Sequence, residues 1–130
     1  MMKTILTSFA LFATIAIALS SCTNYGTEKT FDDVQLFYTD NVTEDEADAL
    51  GDYLIESGFA GGGDKSVQLE KEGDTYQFRM VVKEGYEEKE EFINLAKQFA
   101  NELSADVFEG APVEVHLCDE HLETLKKVGM

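Results

Sequence analysis

The stretch SVQLEKEGDTYQFRMVV, residues 66–82, decides how the chain is read. Val67 and Leu69 alternate with Gln68 and Glu70, the period of a strand with one buried face. Lys71-Glu72-Gly73-Asp74 makes a turn, after which Tyr76, Phe78, Met80 and Val82 alternate with Gln77 and Arg79. Two alternating runs around a Gly-Asp turn predict a β-hairpin.

Upstream, Val34 to Thr39 alternates in the same way and stops at Asp40-Asn41, a turn-forming pair. Thr43-Glu44-Asp45-Glu46 then fits a capping box, with Ala47, Leu50 and Leu54 following at helical spacing and Gly58 ending the run. Downstream of Gly85 comes the longest helical pattern, in which Phe92, Leu95, Ala96, Phe99 and Leu103 recur every three or four residues after an acidic start at Glu87-Glu88. Pro112 opens a last strand, Val113 to Cys118, and Asp119 to Val128 reads as a short closing helix. Strand, helix, strand, strand, helix, strand is the order of an α+β, ferredoxin-like βαββαβ domain. Its sheet has four antiparallel strands, and right-handed crossovers put both helices on one face.

That assignment sorts the sheet residues. Val34, Leu36, Val67, Leu69, Phe78, Val113 and Val115 face the helices, while Phe37, Arg79, Val81, His116 and Cys118 face outward. In the ferredoxin-like strand order, the last strand lies beside the first and the first beside the third. Those five outward residues then converge on one patch, the expected interaction face.

The chain has 130 residues, 26 acids and 10 bases, a net charge of −16. Residues 1–21 hold a single charge, Lys3, and no acid, so all 26 acids fall on the remainder. A sequence-independent nucleic-acid binder needs clustered Lys and Arg to displace phosphate counterions, and that class is excluded. Long-range attraction to an anionic membrane is disfavoured for the same reason. Residues 32–130 suffice for one modest core and no second domain.

Residues 1–21 combine a basic start with an apolar run from Ile5 to Leu19 and small residues before Cys22. This is the layout of an export signal, and the run is short of the roughly 20 residues of a membrane span. Leu19-Ser20-Ser21-Cys22 resembles the bacterial lipobox. The resemblance implies cleavage before Cys22, which becomes a lipidated N-terminus, and several acyl chains on one residue hold stably to a membrane. Residues 22–31 then form a polar tether. Thr23 stands where an Asp would signal inner-membrane retention, so the resemblance implies an outer-membrane lipoprotein facing the periplasm. The run from Ser66 to Gly85, with Val113 to Cys118, is similar to small uncharacterised bacterial domains, which implies a shared fold and transfers no catalytic residue.

Candidate chemistry is sparse. His116, Cys118 and His121 are the only metal-ligand types in a cluster, and two imidazoles with a thiolate suit zinc or copper. Structural zinc sites usually draw on two separated pairs, and a second pair is missing. Cys118 with His116 could serve a thiol-dependent enzyme, but nothing in the sequence orients the imidazole or supplies an oxyanion hole. Gly61-Gly62-Gly63-Asp64-Lys65-Ser66 lacks the spacing of a phosphate loop and precedes a strand. No cofactor is implied. The expectation is a lipid-anchored, non-enzymatic domain that binds a partner protein or itself through the open sheet face. The alternatives are a metal-binding lipoprotein using His116, Cys118 and His121, and a small thiol enzyme.

Overall fold

A computed structural model describes residues 25–129, so the segments read above as an export signal and lipobox, with Cys22, lie outside the described residues. The elements run β1 (Thr27–Phe31), β2 (Val34–Tyr38), α1 (Glu44–Glu56), β3 (Lys65–Glu72), β4 (Thr75–Val81), a 3-10 turn (Tyr86–Glu88), α2 (Glu90–Asp106), β5 (Val113–Cys118) and β6 (Thr124–Gly129). The hairpin read from residues 66–82 forms β3 and β4, with Leu69 opposite Phe78 and Val67 opposite Met80. The capping box also forms: the Glu46 amide donates to Thr43 Oγ1 and the Thr43 amide to Glu46 Oε1, at 3.1 and 2.8 Å.

The four-stranded ferredoxin-like sheet is corrected to a six-stranded mixed one. Strands lie in chain order, β1 to β6, with antiparallel pairs β1·β2, β3·β4 and β5·β6 and parallel pairs β2·β3 and β4·β5. Thr27–Phe31, read above as the end of the tether, is the first edge strand, joined to β2 by a two-residue turn. Asp32 takes the left-handed backbone that such a turn requires, with φ 56°, a conformation Asp tolerates better than most residues. The closing helix expected over Asp119 to Val128 is also absent; Thr124–Gly129 is the second edge strand, β6.

Both helices cover the same face. Tyr53 of α1 donates to Glu102 of α2 at 3.1 Å, and Tyr76 on β4 meets Glu46 from α1 and the Phe108 ring just beyond α2. The steps β2 to β3 and β4 to β5 go the same way across the sheet, yet β2 and β4 point in opposite directions. With both helices on one face, the two crossovers therefore have opposite hands, and one is left-handed. Connections of that hand are rare because strand twist favours the right-handed return. Two right-handed crossovers over one face must step in opposite directions, which is the ferredoxin-like order expected above. This chain departs from that assumption.

The face assignment survives the change of order. Val34, Leu36, Val67, Leu69, Phe78, Val113, Val115 and Leu117 are all fully buried beneath the helices. The helices press on opposite flanks of the sheet: α1 packs on β1 and β2, α2 on β5 and β6. The middle is closed by aromatic rings, with Phe78 edge-on to Phe59 and Phe99, at 6.0 and 5.4 Å between centroids.

Candidate functional site

The open face carries one row across the sheet, Glu28, Phe37, Gln68, Arg79, His116 and Lys127, set by strand register. Arg79 is therefore beside His116, and Val81 beside Cys118, on two strands that the expected order set apart on either side of Phe37's strand. Phe37 is not their neighbour; β3 stands between it and Arg79. Its ring instead meets Tyr25 edge-on at 5.5 Å, and the Tyr25 carbonyl accepts from Gln68 Nε2 at 2.7 Å. The segment leading to β1 thus lies against this face.

Arg79, Thr124, His116 and Glu114 form a chain of hydrogen bonds. Arg79 Nη1 donates to Thr124 Oγ1, and Thr124 Oγ1 stands 2.9 Å from His116 Nδ1. His116 Nε2 is 3.1 Å from Glu114 Oε1. The Glu114 carboxylate can only accept, so the proton of the neutral imidazole is assigned to Nε2, and Nδ1 accepts from the Thr124 hydroxyl. Arg79 Nη2 also pairs with Glu70 at 3.2 Å, while its Nε is buried without a partner among the described residues. His116 is only 6% exposed, and burial holds it below its ordinary pKa although the Glu114 bond works the other way. Cys118 is 0% exposed; its thiol is aimed at the His116 carbonyl, and burial pushes its pKa up.

Sequence reasoning misses Thr124, because the closing-helix reading puts it off the sheet. It joins the network only because β6 folds back beside β5.

At the end of the sheet where β4 stops, the glycine loop does cradle an anion, and the anion is the protein's own. The amides of Gly61 and Gly63 donate to the Asp33 carboxylate at 2.7 and 2.9 Å and hold its pKa low. Asp119 similarly accepts from the amides of His121 and Glu123. His121 itself is exposed, its Nε2 3.8 Å from Glu120.

The helix-covered side is where apolar surface remains open. A cleft of about 290 Å³ lies between α2 and the Phe59 loop that follows α1, floored by Met80 of β4. Phe92, Leu95, Phe99 and Glu102 make its α2 wall, one stripe at intervals of three and four. Leu95 is 62% exposed, the most open large apolar residue described. Glu102 of that wall accepts from Tyr53 of α1; burial, then that bond, pushes the Tyr53 phenol up to about 12.

Residues 29–130 match the model of the AF_1994_N family, described as a family N-terminal domain. The chain belongs to this family. No curated protein and no solved structure matches it. The span matched as an AF_1994_N domain takes in both helices, the open-face network and the cleft.

Within this AF_1994_N domain the two sides differ in what they can do. Among the described residues no three His, Cys, Asp or Glu side chains converge as metal ligands. Both His116 nitrogens are engaged and the Cys118 thiol is turned to a carbonyl, so neither is presented with His121 to an ion. The Glu114, His116 and Thr124 chain has the outline of a carboxylate–imidazole–hydroxyl relay. However, the cation beside the hydroxyl, Arg79, donates to the hydroxyl oxygen itself instead of standing where an oxyanion would form. The network ties β4, β5 and β6 together. The cleft offers unpaired apolar area to another molecule.

Proposed function

We propose that this chain is a lipid-anchored, non-enzymatic binding module, attached through Cys22 to the outer membrane and facing the periplasm, which holds a helix of a partner protein in its helix-side cleft. The observation that carries the binding role is Leu95, a large apolar side chain exposed at the mouth of a cleft walled by Phe92 and Phe99. Exposed apolar surface with a polar rim is the composition of an interaction site. The open face contributes less, because its Arg, His and Glu groups satisfy one another and Phe37 is partnered by Tyr25. The anchor rests on the lipobox resemblance and the apolar run before it.

Two measurements test this reading in cells. Labelled palmitate should enter the wild type and not Cys22→Ala; no label in the wild type overturns the anchor. A photo-crosslinking residue at Leu95 should capture one partner reproducibly, whereas the same residue at Gln35 on the open face should not. Capture from Gln35 alone moves the site to the sheet.

A further inference from the structure

We infer that the occupant of the cleft is a cationic amphipathic helix, its apolar stripe against Phe92, Leu95 and Phe99 and its Lys or Arg residues toward the carboxylates at the rim. This rests on the cleft being the binding site and adds the chemistry of what enters. The helices carry the charge argument. α1 holds six acids and no base, and α2 four acids against Lys97. Lys29 pairs with both Glu44 and Asp48, at 2.9 and 2.6 Å. Among the described residues no such cation pairs with the acids around the cleft. Glu102 stands in the wall, and Asp106 lies one turn further along α2 on the same side. Both act on the Tyr53 phenol that reaches across from α1, and exposed Glu56 follows Tyr53 by one turn.

The opposite end is no more welcoming to anions. Lys65 lies over the Phe59 ring and Lys89 over the Tyr86 ring, at 5.4 and 4.2 Å. Residues 83–91 there hold five Glu against Lys83 and Lys89. An anionic occupant would meet uncompensated like charge, whereas a cationic one would relieve it. The dimensions suit a helix: from Phe92 to Glu102 the wall is about 15 Å long at about 1.5 Å per residue, room for anchors spaced i, i+3 or i+4, and i+7. The chain's own lipid is a poor occupant. Tyr25, three residues after Cys22, is fixed on the opposite face of the sheet by Gln68 and Phe37.

The test uses the full-length lipoprotein in nanodiscs of zwitterionic phosphatidylcholine, with empty discs as the blank. The probe is a fluorescein-labelled leucine–lysine amphipathic helical peptide, read by anisotropy, beside a leucine–glutamate peptide of the same apolar pattern. The lysine peptide should bind saturably, and binding should weaken about tenfold in Leu95→Ser and severalfold in Glu102→Gln or on raising salt. Leu95 is mostly exposed, so Leu95→Ser should lower the thermal midpoint by no more than a few degrees, the cost of a weaker helix former and slight packing. Equal binding of the two peptides overturns the cationic assignment while leaving the cleft as the site. Lysine-peptide binding that ignores Leu95→Ser shows attraction to net charge alone and also overturns it, as does no binding by either peptide. Failure of the cleft itself reads out separately, as loss of partner crosslinks from position 95.

Discussion

Replacing Phe78 with Ala tests the core on which the whole arrangement depends. Phe78 is 0% exposed, and its ring is held edge-on between Phe59 and Phe99 while its strand neighbours are Leu69 and Val115. The ring removes about 100 Å² from water, which at about 25 cal/mol per Å² is about 2.5 kcal/mol. Phe59 and Phe99 already stack on each other at 5.7 Å, so they can close only part of the gap. A residual hole of about 60 Å³ at about 24 cal/mol per Å³ adds about 1.4 kcal/mol. The expected loss is about 4 kcal/mol, a large share of the roughly 5–15 kcal/mol of a small domain. In urea unfolding with a slope of about 2 kcal/mol/M, the midpoint should fall by about 2 M at unchanged slope. Gln77→Ala, one residue earlier and on the other face, should move the midpoint by no more than about a quarter of that. Equal losses from the two changes would refute the face assignment, and with it the position of Met80 beneath the cleft.

Three further outcomes follow from the polar contacts. His116 is buried neutral with its pKa lowered, so the unfolded chain takes up its proton first as pH falls; stability should be full above the ordinary His value near 6.5 and decline below it. Urea midpoints between pH 7.5 and 5 should show that decline in the wild type and less of it in His116→Asn. The native Cys118 thiol should react with a disulfide reagent at pH 8 at least about a hundredfold more slowly than in urea, because it is fully buried and its pKa is raised; comparable rates would show that the thiol is open to solvent in the folded domain. Thr43→Ala should cost about 1 kcal/mol in the same urea assay, since it removes the hydroxyl that accepts from the Glu46 amide. A cost near zero would mean that the bond between Tyr76 and Glu46 fixes this helix end unaided.

Local pattern made much of the fold legible. Period-two alternation located β2, β3, β4 and β5 and set which face each side chain takes, and Thr43 and Glu46 marked the start of α1. The edge strands were not legible. Thr27–Phe31 and the polar residues before it read as one polar segment, because Lys29 points toward the acids of α1 instead of into apolar packing. Leu125, Lys126 and Lys127 in β6 alternate too weakly to outweigh a helical reading. Strand order was missed for a different reason: nothing local encodes the hand of a crossover, and the usual preference gave the wrong neighbour for Phe37. The cleft was hidden in plain periodicity. Leu95 has the spacing of a core residue, and only the separation of α1 from α2 on opposite flanks leaves it in solvent.

Chain-ordered strands also leave a single covalent crossing between the two halves of the sheet. Residues 25–82 hold β1 to β4 with α1, residues 90–129 hold α2, β5 and β6, and only the segment between Val82 and Glu90 joins them. The halves meet along the parallel β4·β5 seam and through the ring contacts of Phe99 with Phe59 and Phe78. A cut near Gly85 would therefore sever no strand and no helix, and would yield two fragments whose complementary edges are already specified. The same geometry lets two copies trade their α2–β5–β6 halves, an exchange that would rebuild each cleft from two chains.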